Sequence, residues 1–383
     1  MGLIFNDMAG IYIHIPFCKK KCYYCNFYKS VVVNKKEDFL QSLKKEILQR
    51  KEELQEEEIE TIYFGGGTPS LLTIEEIEDV LNTVFKNFSV SENAEITFES
   101  NPDDLTYSYL KKLSETPVNR LSIGIQSFKD SDLILVNRRH RSDQAIKAVK
   151  DAQNAGFNNI SIDLIYGLPK QTMEEWKRNI EITLSLNVQH ISSYCLTYSK
   201  GTVFYKRLQT GKLRELSDDL CFSQFKYLVD RLKEDGFEQY EISNFSKPGY
   251  RSAHNSSYWL RKKYLGFGPS AHSYDFNRRR WNKADLDFYI KNVNENNIYW
   301  EDEILDTTDR YNDYMITSLR TIWGISEDIL ISDFGERYLD FFKKGILSYI
   351  KTGHIISNNG NYSLTTDGLF ISDMIMEDLL YVD

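Results

Sequence analysis

The 383-residue chain has only five cysteines, and they are unevenly spread: three fall between positions 18 and 25, and Cys195 and Cys221 stand alone. That is too few and too uneven for a disulfide framework. No stretch of about 18 apolar residues is present to span a bilayer. The segment Met1 to Asp7 also lacks the basic start and long apolar core of a secretion signal. A reducing cytoplasm is therefore the expected location. Positive charge is not in excess either: 47 Lys and Arg face 56 Asp and Glu, a formal charge of -9. This argues against a general binder of nucleic acid or anionic membrane, whose affinity rests on clustered cations. Aromatics make up 14% of the chain, which argues against disorder. The length holds roughly two to three domains' worth of sequence.

From residue 10 to about 235, short β-rich runs alternate with longer helical patterns, which predicts βα units around a parallel sheet. Strands are expected over Ile11 to Ile15, Thr61 to Phe64, Glu95 to Glu99, Arg120 to Ile125, Asn159 to Tyr166 and His190 to Leu196. Helices are expected over Glu37 to Leu54, Ile74 to Phe88, Leu105 to Leu113, Asp143 to Ala155, Met173 to Leu186 and Asp218 to Glu234. Thr73 and Glu76 form a capping-box signal for the second of these, and the Glu-rich run Glu52 to Glu60 reads as a solvated helix end. Six βα units fit either an open doubly wound sheet or an incomplete barrel, and both place chemistry at the carboxyl ends of the strands. Residues 236–304 then read as a connecting subdomain. Residues 305–383 resemble a winged helix, with a hairpin turning at Asn358 to Asn361. In that segment 13 acidic residues face 6 basic ones, so it reads as a protein-packing cap, not a DNA reader.

Cys18, Cys22 and Cys25 give C-x3-C-x2-C directly after the first strand. A 4Fe–4S cluster normally takes four thiolates; three leave one iron open to a chelating ligand. Zinc is the rival reading, with His14 completing a Cys3His set. Gly65-Gly66-Gly67-Thr68-Pro69 follows the second strand, and glycines without Cβ atoms let a ligand touch the backbone. Glu99 ends the third strand, where a carboxylate can accept from ribose hydroxyls. Gln126, Arg138 and Asp163 add polar groups near the same ends of successive strands, although the last two could equally be a structural ion pair. One shared site is the economical reading.

The segment Tyr12 to Cys25 resembles the signature of the radical S-adenosylmethionine (SAM) superfamily. With Glu99-Ser100-Asn101-Pro102, Gly124 to Phe128, Asn137 to His140 and Asp163 to Pro169, the chain is similar to its HemN-like branch. That resemblance implies an α/β fold, a partial (β/α)6 TIM-like barrel over 1–235, followed by the connecting segment and a mostly helical, winged-helix-like C-terminal domain. It implies a 4Fe–4S cluster on Cys18, Cys22 and Cys25, and SAM held by Tyr12, Tyr24, Gly66, Gly67, Thr68, Glu99, Gln126, Arg138 and Asp163.

Dehydrogenases of this branch typically carry a fourth cysteine two places after the third, where this chain reads Cys25-Asn26-Phe27. That departure, and His254-Asn255-Ser256-Ser257-Tyr258-Trp259 matching an HNxxYW motif, resemble the branch's haem chaperones of the HemW type. The resemblance implies haem as a further ligand, His254 as its candidate ligand (His272 a weaker one), and a haem-acceptor protein as partner. Membrane contact is expected only through that acceptor. An active radical enzyme, either a coproporphyrinogen dehydrogenase or a methyltransferase, is the alternative, and turnover is left open. Cys195 and Cys221 read as packed thiols.

Overall fold

Six parallel strands form the centre of the computed structural model, which describes residues 8–55 and 57–382. They are β1 (Met8–Ile15), β2 (Glu58–Gly66), β3 (Val90–Ser100), β4 (Arg120–Gln126), β5 (Ile160–Tyr166) and β6 (His190–Cys195). Met1 to Asp7, on which the expectation of no secretion signal rests, lies outside the described residues. Helices α1 (Lys36–Gln49), α2 (Ile74–Asn87), α3 (Tyr107–Leu113), α4 (Asp130–Leu135), α5 (Ser142–Ala155) and α6 (Met173–Ser185) connect the strands, and α7 (Val203–Gln209) and α8 (Asp218–Glu234) follow β6. Neighbours pair in the order β1-β2-β3-β4-β5-β6, all parallel. This is the partial (β/α)6 barrel of the sequence expectation.

The strands' two-residue alternation sorts their side chains. Ile11, Ile13 and Ile15 of β1 are fully buried and belong to the main apolar core with Phe39, Leu43 and Ile47 of α1. Each such side chain contributes about 1.5–3 kcal/mol by leaving water. Tyr12 and His14, the alternate residues, point to the other face. The expected capping box starts α2: Thr73 Oγ1 accepts from Glu76 N (3.2 Å) and Glu76 Oε2 from Thr73 N (2.8 Å).

Two expectations change. The acidic run Glu52 to Glu60 is not a helix end: α1 stops at Gln49, a single tight turn covers Lys51–Leu54, and Glu58 and Glu60 already lie in β2. Ile59 and Ile62 are fully buried there, while Glu60 pairs with Lys262 (2.9 Å). Residues 236–304 likewise do not stand apart as a connecting subdomain. Their strands β7 (Glu238–Gln239), β8 (Asn244–Ser246), β9 (Lys263–Phe267), β10 (His272–Tyr274), β11 (Arg278–Asn282) and β12 (Trp300–Ile304) extend the barrel sheet at both edges. β9 pairs parallel with β1, and β8 antiparallel with β6, so neither edge of the parallel core is left with unpaired backbone groups. Helices α9 (Ala253–Trp259) and α10 (Leu286–Glu295) belong to the same segment. A buried anchor ties it to α1: Glu46 accepts from Tyr289 Oη (2.6 Å), Asn282 Nδ2 (2.7 Å) and Gly268 N (2.8 Å), and pairs with Arg50 (3.2 Å).

The C-terminal segment has its own apolar core, including Tyr311, Met315, Leu330 and Phe342. It carries α11 (Thr307–Ser318), α12 (Glu327–Phe334) and α13 (Glu336–Lys351), and the small sheet β13 (Ile325–Ser326), β14 (Ile355–Asn358) and β15 (Asn361–Leu364). α14 (Thr366–Phe370) and α15 (Ser372–Leu379) close it. The hairpin turns at Asn359 and Gly360, both at positive φ (49° and 78°), as an Asn-Gly turn favours. Among the described residues no helix is long and apolar enough to cross a membrane.

Candidate functional site

The loop after β1 carries the three clustered cysteines. Cys18 is buried and Cys22 and Cys25 are half-buried. The loop is held from several sides: Cys18 N donates to Ser30 O (2.9 Å), Tyr23 N to Val136 O (3.1 Å), and Lys29 Nζ to Cys25 O (2.7 Å). Thr68 donates to Cys18 Sγ (3.3 Å) and Arg138 Nη1 to Cys22 Sγ (3.6 Å). Burial pushes the Cys18 thiol up, Thr68 opposes this, and Cys25 and Cys22 add to it. Three thiols that repel one another as thiolates are a donor set that a polycationic group would stabilise.

His14 is not available as a fourth zinc ligand. Its Nδ1 meets Tyr12 Oη (3.2 Å) and its Nε2 meets Tyr28 O (3.1 Å), and burial depresses its pKa to about 4. Among the described residues no three His, Cys, Asp or Glu side chains converge on a single-ion site. The zinc reading therefore loses its Cys3His set.

The loop forms one wall of a cavity of about 740 Å³, open at the carboxyl ends of the strands. Cys18, Cys22, Cys25, Tyr24, Gly66, Gly67, Thr68, Glu99, Gln126, Arg138 and Asp163 all line it. Gly66 sits at φ +101°, and a Cβ there would lie 2.4 Å from the His14 ring; one at Gly67 would lie 2.6 Å from Ile15 O. The glycines thus let the end of β2 close onto β1 and leave bare backbone on the cavity. Gln126 adopts φ +74° at the end of β4, a conformation rare outside glycine that is held by its surroundings.

The carboxylates are poised near neutrality. Burial pushes Glu99 up to about 7, against the hydrogen bond donated by Tyr63 Oη (2.8 Å) and with help from Asp163. Burial likewise raises Asp163 to about 6, opposed by hydrogen bonds from Ser192 and Ser122, the latter at 3.3 Å. Arg138 and Asp163 are not a closed ion pair: Arg138 Nη2 donates to Asn101 Oδ1 (2.6 Å) and to Gly124 O. Arg138 Nε and Ser100 Oγ are buried without partners, and orphaned polar atoms lining a cavity call for a polar ligand. Tyr63, Asn101 and Ser122 are supports that the sequence reading did not single out. Asn101 lies in the quoted Glu99 to Pro102 motif and could have been found there; Tyr63 and Ser122 carried no signal beyond strand alternation.

Tyr12 and His254 do not reach the cavity. Tyr12 stacks with Tyr63 (ring centroids 6.1 Å) and with His254 (6.4 Å) beneath Gly65, where a Cβ would meet its ring at 3.0 Å. His254 is 1% exposed. Its Nδ1 meets Thr61 Oγ1 and its Nε2 meets Tyr258 Oη, both at 2.8 Å, and burial lowers its pKa to about 3. Glu95 accepts from the backbone N–H groups of Ala253 and His254 (3.0 Å each), pinning α9 under the sheet. The motif therefore fills the barrel below the Tyr63–Glu99 pair, and its imidazole has no free nitrogen for iron. His272 is exposed beside Trp281, away from the cavity lining. Of Cys195 and Cys221, expected as packed thiols, Cys221 is buried while Cys195 is exposed and lines the cavity, and both sulfurs lie beside Gly167.

Comparison with known proteins places this architecture. The profile of the Radical SAM superfamily matches residues 12–182. The haem chaperone HemW of Bacillus subtilis is 33% identical over 96% of this chain and 98% of its own length. HemW of Lactococcus lactis is 33% identical over 97% of both. The chain belongs to the HemW family of radical SAM proteins. The mitochondrial radical SAM domain-containing protein 1 of Danio rerio is 37% identical over 69% of the chain and 60% of its own length. Coproporphyrinogen III oxidase (HemN) from Escherichia coli, a radical SAM enzyme, shares the fold: TM-score 0.85, with 98% of this chain and 91% of that one covered, at 24% identity. Radical SAM membership implies a 4Fe–4S cluster and SAM, and the donor chemistry fits both. Three thiols border the cavity on one side, and orphaned donors with two carboxylates border it on the other.

Proposed function

We propose that the protein is a haem chaperone that binds haem and passes it to an acceptor protein in the cytoplasm. In this reading Cys18, Cys22 and Cys25 hold the cluster, while Gly66, Gly67, Thr68, Glu99, Gln126, Arg138 and Asp163 hold SAM, with Tyr24 closing over them. The observation that carries it is the match along nearly the whole chain to proteins named haem chaperone HemW. Bound together, the cluster and SAM supply one-electron cleavage of a carbon–sulfur bond. The chain's own residues orient and shield: Gly66 and Gly67 present backbone, Glu99 accepts ribose hydroxyls, and Arg138 steadies the Cys22 side of the loop. Residues 305–383 act as a cap, since their acidic excess repels phosphate.

The test is an anaerobic comparison of reconstituted protein given haem or coproporphyrinogen III. Stoichiometric haem uptake, release to a haem-free acceptor and no consumption of the porphyrinogen are expected. Multiple turnovers of coproporphyrinogen would replace the chaperone reading with that of an oxidoreductase.

A further inference from the structure

The cavity is larger than its polar half. Beyond Asp163 it continues along the end of β6 and under the C-terminal domain, where its walls are Tyr166, Leu196, Phe225, Leu369 and Phe370. Phe370 of α14 packs on Phe222 and Phe225 of α8 (ring centroids 4.9 and 6.1 Å), so this apolar pocket is built jointly by barrel and cap. Two chemically distinct groups open onto it. Cys195, exposed at the last position of β6, lines the wall. Arg320 stands at the rim. Its Nη2 pairs with Asp373 (2.7 Å), whose side chain is 87% exposed, and its Nε makes no hydrogen bond.

Cys195 does not stand alone. Gly167, at φ +73°, has no side chain, and the point where one would begin is 3.2 Å from Cys195 Sγ and 3.3 Å from Cys221 Sγ. The two sulfurs flank that bare backbone, and Tyr166, the residue before it, lines the same wall as Cys195. A soft sulfur donor, an aromatic wall and a cation at the rim match the three parts of haem: iron, flat apolar ring and carboxylate edge.

We propose that haem binds in this outer half of the cavity with Cys195 as its axial thiolate ligand, its ring against Phe225 and Phe370, and a propionate on Arg320. On ligation Cys195 loses its proton to solvent. The haem then faces the polar half where SAM is proposed, whereas a site at His254 would lie beneath the barrel floor. This inference rests on the haem-chaperone reading and names the ligand site within it.

The experiment uses the cluster-reconstituted full chain, loaded with haem, reduced and exposed to carbon monoxide. Wild type is expected to show the strongly red-shifted Soret band of thiolate-ligated ferrous carbonyl haem. Cys195→Ser loses that band and binds haem about tenfold or more weakly, the scale expected for a disrupted metal site. Cys195→His replaces it with an imidazole-type spectrum. Arg320→Ala weakens binding but keeps the band. A Cys18→Ser/Cys22→Ser/Cys25→Ser variant keeps it too, which separates Cys195 from the cluster thiols. If wild type binds haem with an imidazole-type spectrum, or if Cys195→Ser is indistinguishable from it, the site is wrong while the chaperone reading stands. If wild type takes up no haem, both fall.

Discussion

Proton linkage at Glu99 makes a quantitative prediction for nucleotide binding. In the free protein Glu99 and Asp163 hold pKa values of about 7 and about 6 because both are buried. SAM carries a sulfonium, and its ribose hydroxyls donate hydrogen bonds, so the complex favours both carboxyls ionised. Protonation of the free site then competes with binding. Between pH 8 and pH 6, affinity falls about tenfold through Glu99 and about twofold more through Asp163, roughly twentyfold in all. The sign follows from the linkage: each group binds more proton in the free state, so raising the pH strengthens binding until both have ionised. At pH 7, binding releases about half a proton from Glu99 and about a tenth from Asp163. Isothermal titration calorimetry in buffers of different ionisation enthalpy reads both quantities. Glu99→Gln removes the tenfold component and leaves the twofold one. An affinity that does not change from pH 6 to 8, with no buffer-dependent heat, would show that these carboxyls do not engage the nucleotide.

Each of Cys18→Ser, Cys22→Ser and Cys25→Ser should drop iron and acid-labile sulfide to near background after anaerobic reconstitution, whereas Cys221→Ser should retain both. Gly66→Ala forces a Cβ to within 2.4 Å of the His14 ring at φ +101°. It should cost about 1–3 kcal/mol or more of stability in urea titration, with loss of cluster retention because His14 also holds the Tyr28 carbonyl of the cysteine loop. His254→Ala removes a buried ring stacked 4.9 Å under Tyr63 and its bonds to Thr61 and Tyr258. A loss of about 2–4 kcal/mol is expected by denaturation, together with weaker SAM binding as Tyr63 loosens from Glu99. Unchanged stability with abolished haem binding would instead return His254 to the role of haem ligand.

Local patterns carried most of the barrel. Period-two apolar runs at Ile11 to Ile15 and Asn159 to Tyr166, and the Thr73–Glu76 box, are short-range signals; β5 and α2 begin within a residue of theirs, while β1 begins earlier, at Met8. The acidic run at Glu52 to Glu60 misled because charge is read one residue at a time, while the strand there is decided by pairing with β1 and by burial of Ile59. That the three clustered cysteines and the residues at the strand ends line one cavity was legible because their motifs are contiguous and parallel strands bring their carboxyl ends to one mouth.

Residues whose meaning depends on distant partners were another matter. Nothing local distinguishes Tyr63 from other strand aromatics until Glu99 lies against it. His254 in its motif suggested a ligand, yet Thr61, from a strand nearly 200 positions earlier, occupies one nitrogen and folds the ring into the floor. Cys195 and Cys221 were isolated in the chain, and only the packing of α8 across the end of β5 brings them together. The order of amino acids was enough to determine the superfamily, the barrel, and which thiols and carboxyls share a mouth, because those depend on spacing and alternation. Which side chains remain free to meet a ligand was decided by tertiary contacts, because hydrogen bonds and burial are settled by neighbours remote in the chain.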